Sequence, residues 1–202
     1  MIFFIQLGSE SYRTGQLFYS YGLIPSVLMG HDQLPMDLYA VPAYMTIFSS
    51  MFMHGGWMHL IGNMWYMKIF ADNIEDNLGS RKFIIFYILC GIGAAMAQVL
   101  MDTHSQVPMV GASGAIGGVL GAYLINHPNA RVLVLIPYII ITIIKIRALY
   151  VLGFWFILQF ISSGGGVAYA AHIGGFVCGM ILILFFNKKT KRKTKIIKGP
   201  WS

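Results

Sequence analysis

Charged residues are scarce in this chain, and their scarcity excludes a soluble domain. Asp, Glu, Lys and Arg make up 10% of the 202 residues, whereas 57% are hydrophobic. So few charges cannot cover the water-exposed surface of a soluble protein of this length. The composition therefore predicts an all-α, polytopic membrane protein.

The net charge of +7 does not indicate a nucleic-acid-binding face. Seven of the 14 Lys and Arg residues lie between Lys188 and Lys198, which leaves seven to balance the seven acidic residues elsewhere. A basic cluster directly after a final apolar segment is typical of a stop-transfer flank or of a cytoplasmic anchor beside anionic lipids. We interpret residues 187–202 as a basic cytoplasmic tail that contacts membrane lipids, and we expect no nucleic-acid partner.

Cysteine is also rare, and its placement indicates no disulfide framework. Cys90 and Cys178 each lie in the middle of an apolar segment, where their spacing favours neither a disulfide nor a metal site. No secretory signal is visible, because residues 1–7 lack a basic start and are too short for an apolar core with a cleavage site. We predict that both thiols are packed among apolar side chains.

Long apolar segments begin at Trp57, and each is a candidate membrane helix. A spanning helix needs about 20 apolar residues, or fewer where one end faces a water-filled cavity. The segment 132–144 is interrupted by Pro137, so it is either embedded or an extended segment at the cytoplasmic surface. The predicted helices are 57–71, 83–101, 113–125, 148–162 and 168–186.

The basic residues predict the orientation of these spans. Arg81, Lys82, Arg131, Lys145, Arg147 and the tail share one side if the spans alternate, and the positive-inside bias makes that side cytoplasmic. The segment 8–56 is then an outer loop. Residues 1–7 are too short to span, so we interpret them as the stub of a first helix, either truncated or shortened by a start codon placed too late. An interfacial anchor is the alternative. We expect one membrane-embedded domain, 1–186, in a prokaryotic cytoplasmic membrane.

Ser113 and His172 are reactive polar residues inside apolar segments. A helix that begins at Ser113 leaves its first backbone N–H groups unpaired at the positive end of the helix dipole, where an oxyanion can be held. His172, near the start of the last segment, is a candidate base. A hydroxyl nucleophile and a base at membrane depth suggest hydrolysis within the bilayer.

Glycines on the same two segments predict that these residues meet. Gly175 and Gly179 share the helix face of His172. The Ser113 segment has two interleaved small-residue patterns that allow close approach of another helix. Generic glycine packing, with a capping serine and a buried histidine, would produce the same pattern. The glycines of that segment are Gly114, Gly117, Gly118 and Gly121.

His59 and Asn63 are four residues apart on the segment 57–71, so they share a helix face near its outer end. Side-chain N–H donors at this depth can reach a developing oxyanion, and each is worth roughly 3 to 4 kcal/mol of transition-state stabilisation. A polar pair bonded to a neighbouring backbone is the alternative. His54, five residues earlier, is expected to support the fold of the loop.

A metal site is a weaker interpretation of the histidines. His54, His59 and His172 could converge, but the first two are poorly spaced for one helix face and no HExxH motif or nearby acidic ligand is present. The serine elbow of soluble hydrolases also fits poorly, because Ala115 stands where that motif has glycine. We therefore expect neither a metal nor another cofactor.

The motifs HGGWMHLIGN at 54–63, GASG at 111–114 and AHIGG at 171–175 follow one another on successive spans. In that order they resemble the rhomboid family of intramembrane serine proteases. The resemblance covers nearly the whole chain from Tyr21 onward, and the three motifs together are specific although each alone is weak.

The resemblance implies a six-helix core, with its first helix truncated or missing in this chain. It also implies a Ser113–His172 dyad without an acidic third member, and His59 and Asn63 as oxyanion partners. The implied substrates are single transmembrane helices, cleaved near the outer membrane boundary where helix-breaking residues let the backbone extend. Supporting residues would be His54, Gly111, Gly114 and Gly175.

Two further features bear on the predicted site, one at Gly117 and one in the segment 148–162. Some members of the family carry an aromatic residue at the position of Gly117 that stacks on the base, so other packing must orient His172 here. The segment 148–162, with Phe154, Trp155 and Phe156, is a candidate lateral gate, although lipid-facing packing explains these aromatics equally well.

Two other functions remain open from the sequence. A catalytically silent relative would bind transmembrane helices in membrane-protein quality control, but it would be expected to lack Ser113 or His172. A small transporter or a metal-binding membrane protein would be inhibited by chelators and unaffected by serine-directed phosphonates.

Overall fold

The computed structural model describes residues 11–137, 141–161 and 167–187, and within them the fold is a helix bundle with one small hairpin. This architecture confirms the predicted all-α membrane bundle. Two 3-10 turns, Ala43–Met45 and Ser50–Phe52, flank the short helix α3. In chain order the other elements are α1 (Ser11–Tyr21), α2 (Pro25–Leu28), α3 (Thr46–Ser49), α4 (Trp57–Leu78), α5 (Ser80–Met101), α6 (Ser113–Asn126), β1 (Arg131–Pro137), β2 (Ile141–Arg147), α7 (Ala148–Ile161) and α8 (Tyr169–Phe186).

The two longest apolar helices are α5 and α8. Both are long and apolar enough to cross a bilayer, with a mean hydropathy of 2.2 and 2.0 over their most apolar 18 residues. Helix α4 continues to Leu78, beyond the predicted end at residue 71. Its last turns carry Asp72, Glu75 and Asp76, so the apolar pattern ends before the helix does. Gly79, with φ +78°, then ends α4 and leads directly into α5.

Strands β1 and β2 form an antiparallel hairpin that contains residues 132–137 and 141–144 of the segment 132–144, in line with the extended alternative. Arg131 pairs with Arg147 at its base, and Ala148 N–H donates to the carbonyl of Ala130 there (2.8 Å). Its many Val and Ile residues favour strands. The side chain of Val132 packs into the core, whereas Leu133 and Lys145 on the opposite face are exposed.

The predicted outer loop, 8–56, contains α1, α2 and α3 rather than only irregular chain. Leu23 and Met109 exchange backbone hydrogen bonds of 3.0 and 2.8 Å, which ties this segment to the loop between α5 and α6. Gln106 donates a 2.9 Å hydrogen bond to Asp32, and this bond lowers the pKa of the Asp32 carboxyl. The predicted stub, 1–7, and most of the tail, 188–202, lie outside the described residues.

Helix α6 lies at the centre of the bundle and is buried on every side from Gly114 to Tyr123. It contacts α8 most closely, because the two helices meet glycine to backbone. A Cβ at Gly175 would overlap the carbonyl oxygen of Gly114, and one at Gly179 would overlap that of Gly118. Close backbone approach of this kind supplies the packing that holds helices together in a bilayer, where lipid removes the hydrophobic drive.

Replacement of Gly179 by Ala should destabilise the bundle. The new methyl group would overlap backbone, which no side-chain rotation can relieve, and overpacking of this kind costs about 1 to 3 kcal/mol. The matched control is Gly153→Ala on α7, where nothing lies within 4 Å of the new Cβ. Thermal unfolding in detergent should give a Tm several degrees lower for Gly179→Ala, and equal Tm values for the two variants would contradict the packing described.

Candidate active site

Ser113 and His172 are in direct contact at one end of the bundle. Ser113 is the first residue of α6, and His172 lies in the first turn of α8. The Ser113 Oγ and His172 Nε2 atoms are 2.8 Å apart, a hydrogen-bond distance. The glycine contacts between α6 and α8 hold the two helix starts together, so the nucleophile and base predicted from the sequence share one site.

The second ring nitrogen of His172 contacts α7. His172 Nδ1 lies 2.8 Å from Gln159 Oε1, and Gln159 Nε2 donates to the carbonyl of Trp155 (2.8 Å). The Trp155 ring centroid is 5.8 Å from that of His172. Sequence reasoning missed Gln159. The available signal was an amide inside an otherwise apolar helix, because polar side chains at membrane depth are rare and tend to be functional.

Gly117 allows α8 to approach closely. A Cβ at this position would lie 3.0 Å from the carbonyl oxygen of His172, which is tighter than ordinary contact. An aromatic side chain at position 117 would therefore require α8 to move away. The aromatic rings beside His172 are instead those of Trp155 and Tyr169, with centroids 5.8 and 6.4 Å away, in agreement with the expectation that other packing orients the base.

Gln98 of α5 caps the start of α8. Its Oε1 accepts the backbone N–H of Ala171 at 3.2 Å. The first N–H groups of a helix have no partner within the helix, and a side-chain oxygen that accepts one of them stabilises that end. Gln98, which sequence reasoning also missed, thus anchors the backbone one residue before His172.

His59 directs one ring nitrogen toward Ser113. Its Nδ1 accepts the Gly55 N–H at 3.2 Å, so in the neutral ring the proton is on Nε2. The Nε2 atom lies 2.7 Å from the position that a Cβ on Gly111 would occupy, and Ser113 Oγ lies 3.6 Å from the same point. His59 Nε2 and Ser113 therefore border one small space.

Gly111 keeps this space open. Its φ of +126° lies in the region that favours glycine, and its N–H donates to the carbonyl of Ser50 (2.9 Å). A side chain here would be strained and would displace the His59 ring. The absence of a side chain at Gly111 therefore leaves room for the His59 ring.

Asn63 is buried on the same face of α4, with 6% of its surface exposed. Its Nδ2 has no hydrogen-bond partner among the residues that the structure describes. Buried amide groups are nearly always paired, so an unpaired donor that lines a cavity is available to a ligand. His54 is also buried, and its ring packs edge-on against His59 with centroids 5.3 Å apart.

A cavity of about 800 Å³ brings these residues to one surface. Side chains of α4 form one wall, Trp155 of α7 contributes to another, and the starts of α6 and α8 form the base. Of the predicted gate aromatics, Phe154 is 64% exposed and faces outward. Trp155 and Phe156 instead pack inward against Phe176. The residues of the site that line the cavity are Ser113, His172, His59, Asn63, Gly111 and Gly114.

Comparison with known proteins gives consistent matches. A family model described as the Rhomboid domain matches residues 42–189. RHOMBOID-like protein 5 of Arabidopsis thaliana is 32% identical over 138 residues, which are 67% of this chain and 42% of that protein. A putative rhomboid protease of Bacillus subtilis is 32% identical over 148 residues, which are 69% of this chain and 66% of that protein.

A third relative is also named as a protease. Rhomboid-like protease 3 of Toxoplasma gondii is 26% identical over 143 residues, which are 71% of this chain and 52% of that protein. The chain spans about half the length of the curated relatives it matches.

Replacement of Gly111 by Ala should displace His59. The new Cβ would lie 2.7 Å from the ring, in a backbone conformation that alanine rarely adopts. Ring signals of His59 in a ¹H–¹⁵N spectrum should shift, and Tm should fall. Gly62→Ala on α4 is the control, since nothing lies within 4 Å of its new Cβ. If both variants leave the His59 signals in place, the steric role of Gly111 is wrong.

Proposed function

Because the chain belongs to the rhomboid family, we propose that it is an intramembrane serine endopeptidase with Ser113 as nucleophile and His172 as base. The observation that carries this proposal is the 2.8 Å contact between Ser113 Oγ and His172 Nε2 at the base of the cavity. A hydroxyl is a weak nucleophile on its own, and an adjacent base within hydrogen-bond reach activates it.

The proposed reaction proceeds in two steps. His172 Nε2 takes the Ser113 proton as Oγ attacks a peptide carbonyl, and the protonated ring then gives this proton to the leaving amine. The product of the first step is an acyl-enzyme on Ser113. Water hydrolyses it in the second step, with His172 again as base, and restores the free hydroxyl.

Three N–H donors are suited to hold the oxyanion. The Ser113 backbone N–H is one of the first N–H groups of α6, which have no partner within the helix, and it lies at the positive end of the helix dipole. His59 Nε2–H borders the same space beside Gly111. The unpaired Nδ2 of Asn63 supports its role as the third donor, because binding of an oxyanion would supply the partner that it lacks.

The proposed substrates are transmembrane helices. A peptide bond inside a regular helix is shielded by its own hydrogen bonds, so cleavage requires a segment that helix-breaking residues have opened. The cavity between α4 and α7 has the size to admit such an extended segment, and water reaches the acyl-enzyme through the same space. Trp155 and the rest of α7 form the proposed side of entry.

We also propose that the C-terminus is cytoplasmic and that the site faces the outer side of a prokaryotic cytoplasmic membrane. Asn126 and Asn187 exchange side-chain hydrogen bonds of 2.7 and 3.3 Å, so α6 and α8 end on the same side. Arg131 and Arg147 at the base of the hairpin follow on that side, and the positive-inside bias makes it cytoplasmic. Ser113 and His172 lie at the opposite helix ends.

Replacement of Ser113 by Ala should abolish cleavage of a model transmembrane substrate reconstituted in liposomes, because no nucleophile remains. The wild type and Ser105→Ala, a control in the loop between α5 and α6, should cleave at equal rates. A serine-directed phosphonate should label the wild type and not Ser113→Ala. Cleavage by Ser113→Ala equal to that of the wild type would overturn the proposal. No cleavage by the wild type would favour a helix-binding role without proteolysis.

Replacement of Asn63 by Ala should lower kcat by about 10² to 10³, the usual effect of loss of one oxyanion donor. The KM value should change little, because the donor acts chiefly in the transition state. The control is Asn77→Ala on the same helix, where Asn77 bonds His127 at the other end of α4 (3.0 Å). Equal kcat values for the two variants would show that Asn63 is not an oxyanion donor.

A further inference from the structure

Gln159 is a buried amide on α7 with both ends of its side chain hydrogen-bonded. Only 8% of its surface is exposed. Its Nε2 donates to the carbonyl of Trp155, and its Oε1 meets His172 Nδ1, each at 2.8 Å. An amide without partners would be costly at this depth, so these two bonds explain how an apolar helix tolerates glutamine.

The partners of Gln159 determine which way its amide points. The Trp155 carbonyl can only accept a hydrogen bond, so the NH₂ group faces it and Oε1 faces the histidine. Oε1 also can only accept, so His172 Nδ1 carries a proton. The neutral ring has one N–H, which leaves the lone pair on Nε2, the atom 2.8 Å from Ser113 Oγ.

We propose that Gln159 is a positioning residue that holds His172 in the tautomer able to accept the proton of Ser113. In the other tautomer, the Nδ1 lone pair would face the lone pairs of Oε1 at 2.8 Å, which is repulsive. Nε2 would then carry hydrogen and have no lone pair for the serine proton. Gln159 disfavours this state without a charge, and neither α6 nor α8 contains an acidic residue.

The position of Gln159 also fixes the ring in space. Trp155, one turn earlier on α7, places its ring beside His172 with an angle of 38° between the planes. The hydrogen bond from Nδ1 restrains rotation of the imidazole about its bond to Cβ, and the Trp155 ring limits movement sideways. Helix α7 therefore supplies both the acceptor and the packing that orient the base.

Replacement of Gln159 by Leu should lower kcat about 10- to 100-fold with KM nearly unchanged, the range found when the outer hydrogen-bond partner of a metal-bound histidine is lost. Gln159→Glu should recover most of the loss, because a carboxyl group in either protonation state offers an oxygen to Nδ1–H. This kinetic comparison rests on the proposed proteolytic function. An unchanged kcat in Gln159→Leu, or no recovery in a folded Gln159→Glu, would overturn the inference.

Gln98→Leu is the matched control. It removes another glutamine bond to α8, from the Ala171 N–H rather than from the base. It should lower Tm without a change in the tautomer of His172. If Gln98→Leu and Gln159→Leu produce the same change in the ring signals of His172, the role of Gln159 is general support of α8, and the inference fails.

The ring ¹⁵N chemical shifts of His172 provide a readout that does not depend on proteolysis. In the wild type Nδ1 should be protonated and Nε2 unprotonated. The signals of His172 are assigned as those that are absent from the spectrum of His172→Ala. Gln159→Leu should give a mixture of tautomers. A wild type with its proton on Nε2 would overturn the inference even if the protein cleaves substrates. If the protein cleaves none, the proposed function fails while the spectrum still decides the role of Gln159.

Discussion

The contact between the backbones of α6 and α8 is the constraint on which the site depends. Helices within a bilayer are already out of water, so contact between them adds no hydrophobic stabilisation. Close packing must therefore hold them together. Carbonyl groups of α6 occupy the space beside Gly175 and Gly179 where side chains would otherwise stand. Ser113 and His172 lie at the starts of these two helices, and their distance follows from the distance between the backbones.

Much of this arrangement could be predicted because it depends on the spacing of residues that are close in sequence. Glycines at helical intervals on two segments predict that the two helices approach each other closely. The four-residue spacing of His59 and Asn63 predicts that they share one helix face. The end of α4 could not be predicted in the same way, because the helix continues through Asp72 and Asp76 after the apolar pattern has ended. The pairing of Arg131 with Arg147 could not be predicted from apolar composition, because a short apolar run does not distinguish a strand from a buried helix.

The contacts of Gln98 and Gln159 could not be predicted from the sequence, for a different reason. Gln98 bonds Ala171 from α5, 73 residues away, whereas Gln159 bonds His172 from α7, the helix directly before α8. Packing throughout the bundle sets which face each of these helices turns toward α8. Sequence alone indicates only that an amide in an apolar helix must find a partner. Which partner it finds depends on how the helix is rotated about its own axis.

The polar groups around Ser113 are uncharged. His172, Gln159, Gln98 and Asn63 come from four different helices, and each contributes a neutral donor or acceptor. A carboxylate in the position of Gln159 would carry a large desolvation cost at this depth, whereas an amide can be satisfied by two hydrogen bonds. Neutral groups thus allow a reactive histidine to be oriented without burial of a permanent charge.

The burial of α6 from Gly114 to Tyr123 has a consequence for the response of the protein to lipid. The helix has 14 residues and is about 21 Å long, shorter than the roughly 30 Å hydrocarbon layer of a typical bilayer. A lipid-exposed helix of this length would suffer hydrophobic mismatch and would thin the membrane or tilt. Because protein surrounds α6 from Gly114 to Tyr123, changes in bilayer thickness act first on helices with exposed apolar sides, such as α5 and α8. The depth of Ser113 is therefore set by the helices around α6 rather than by the membrane.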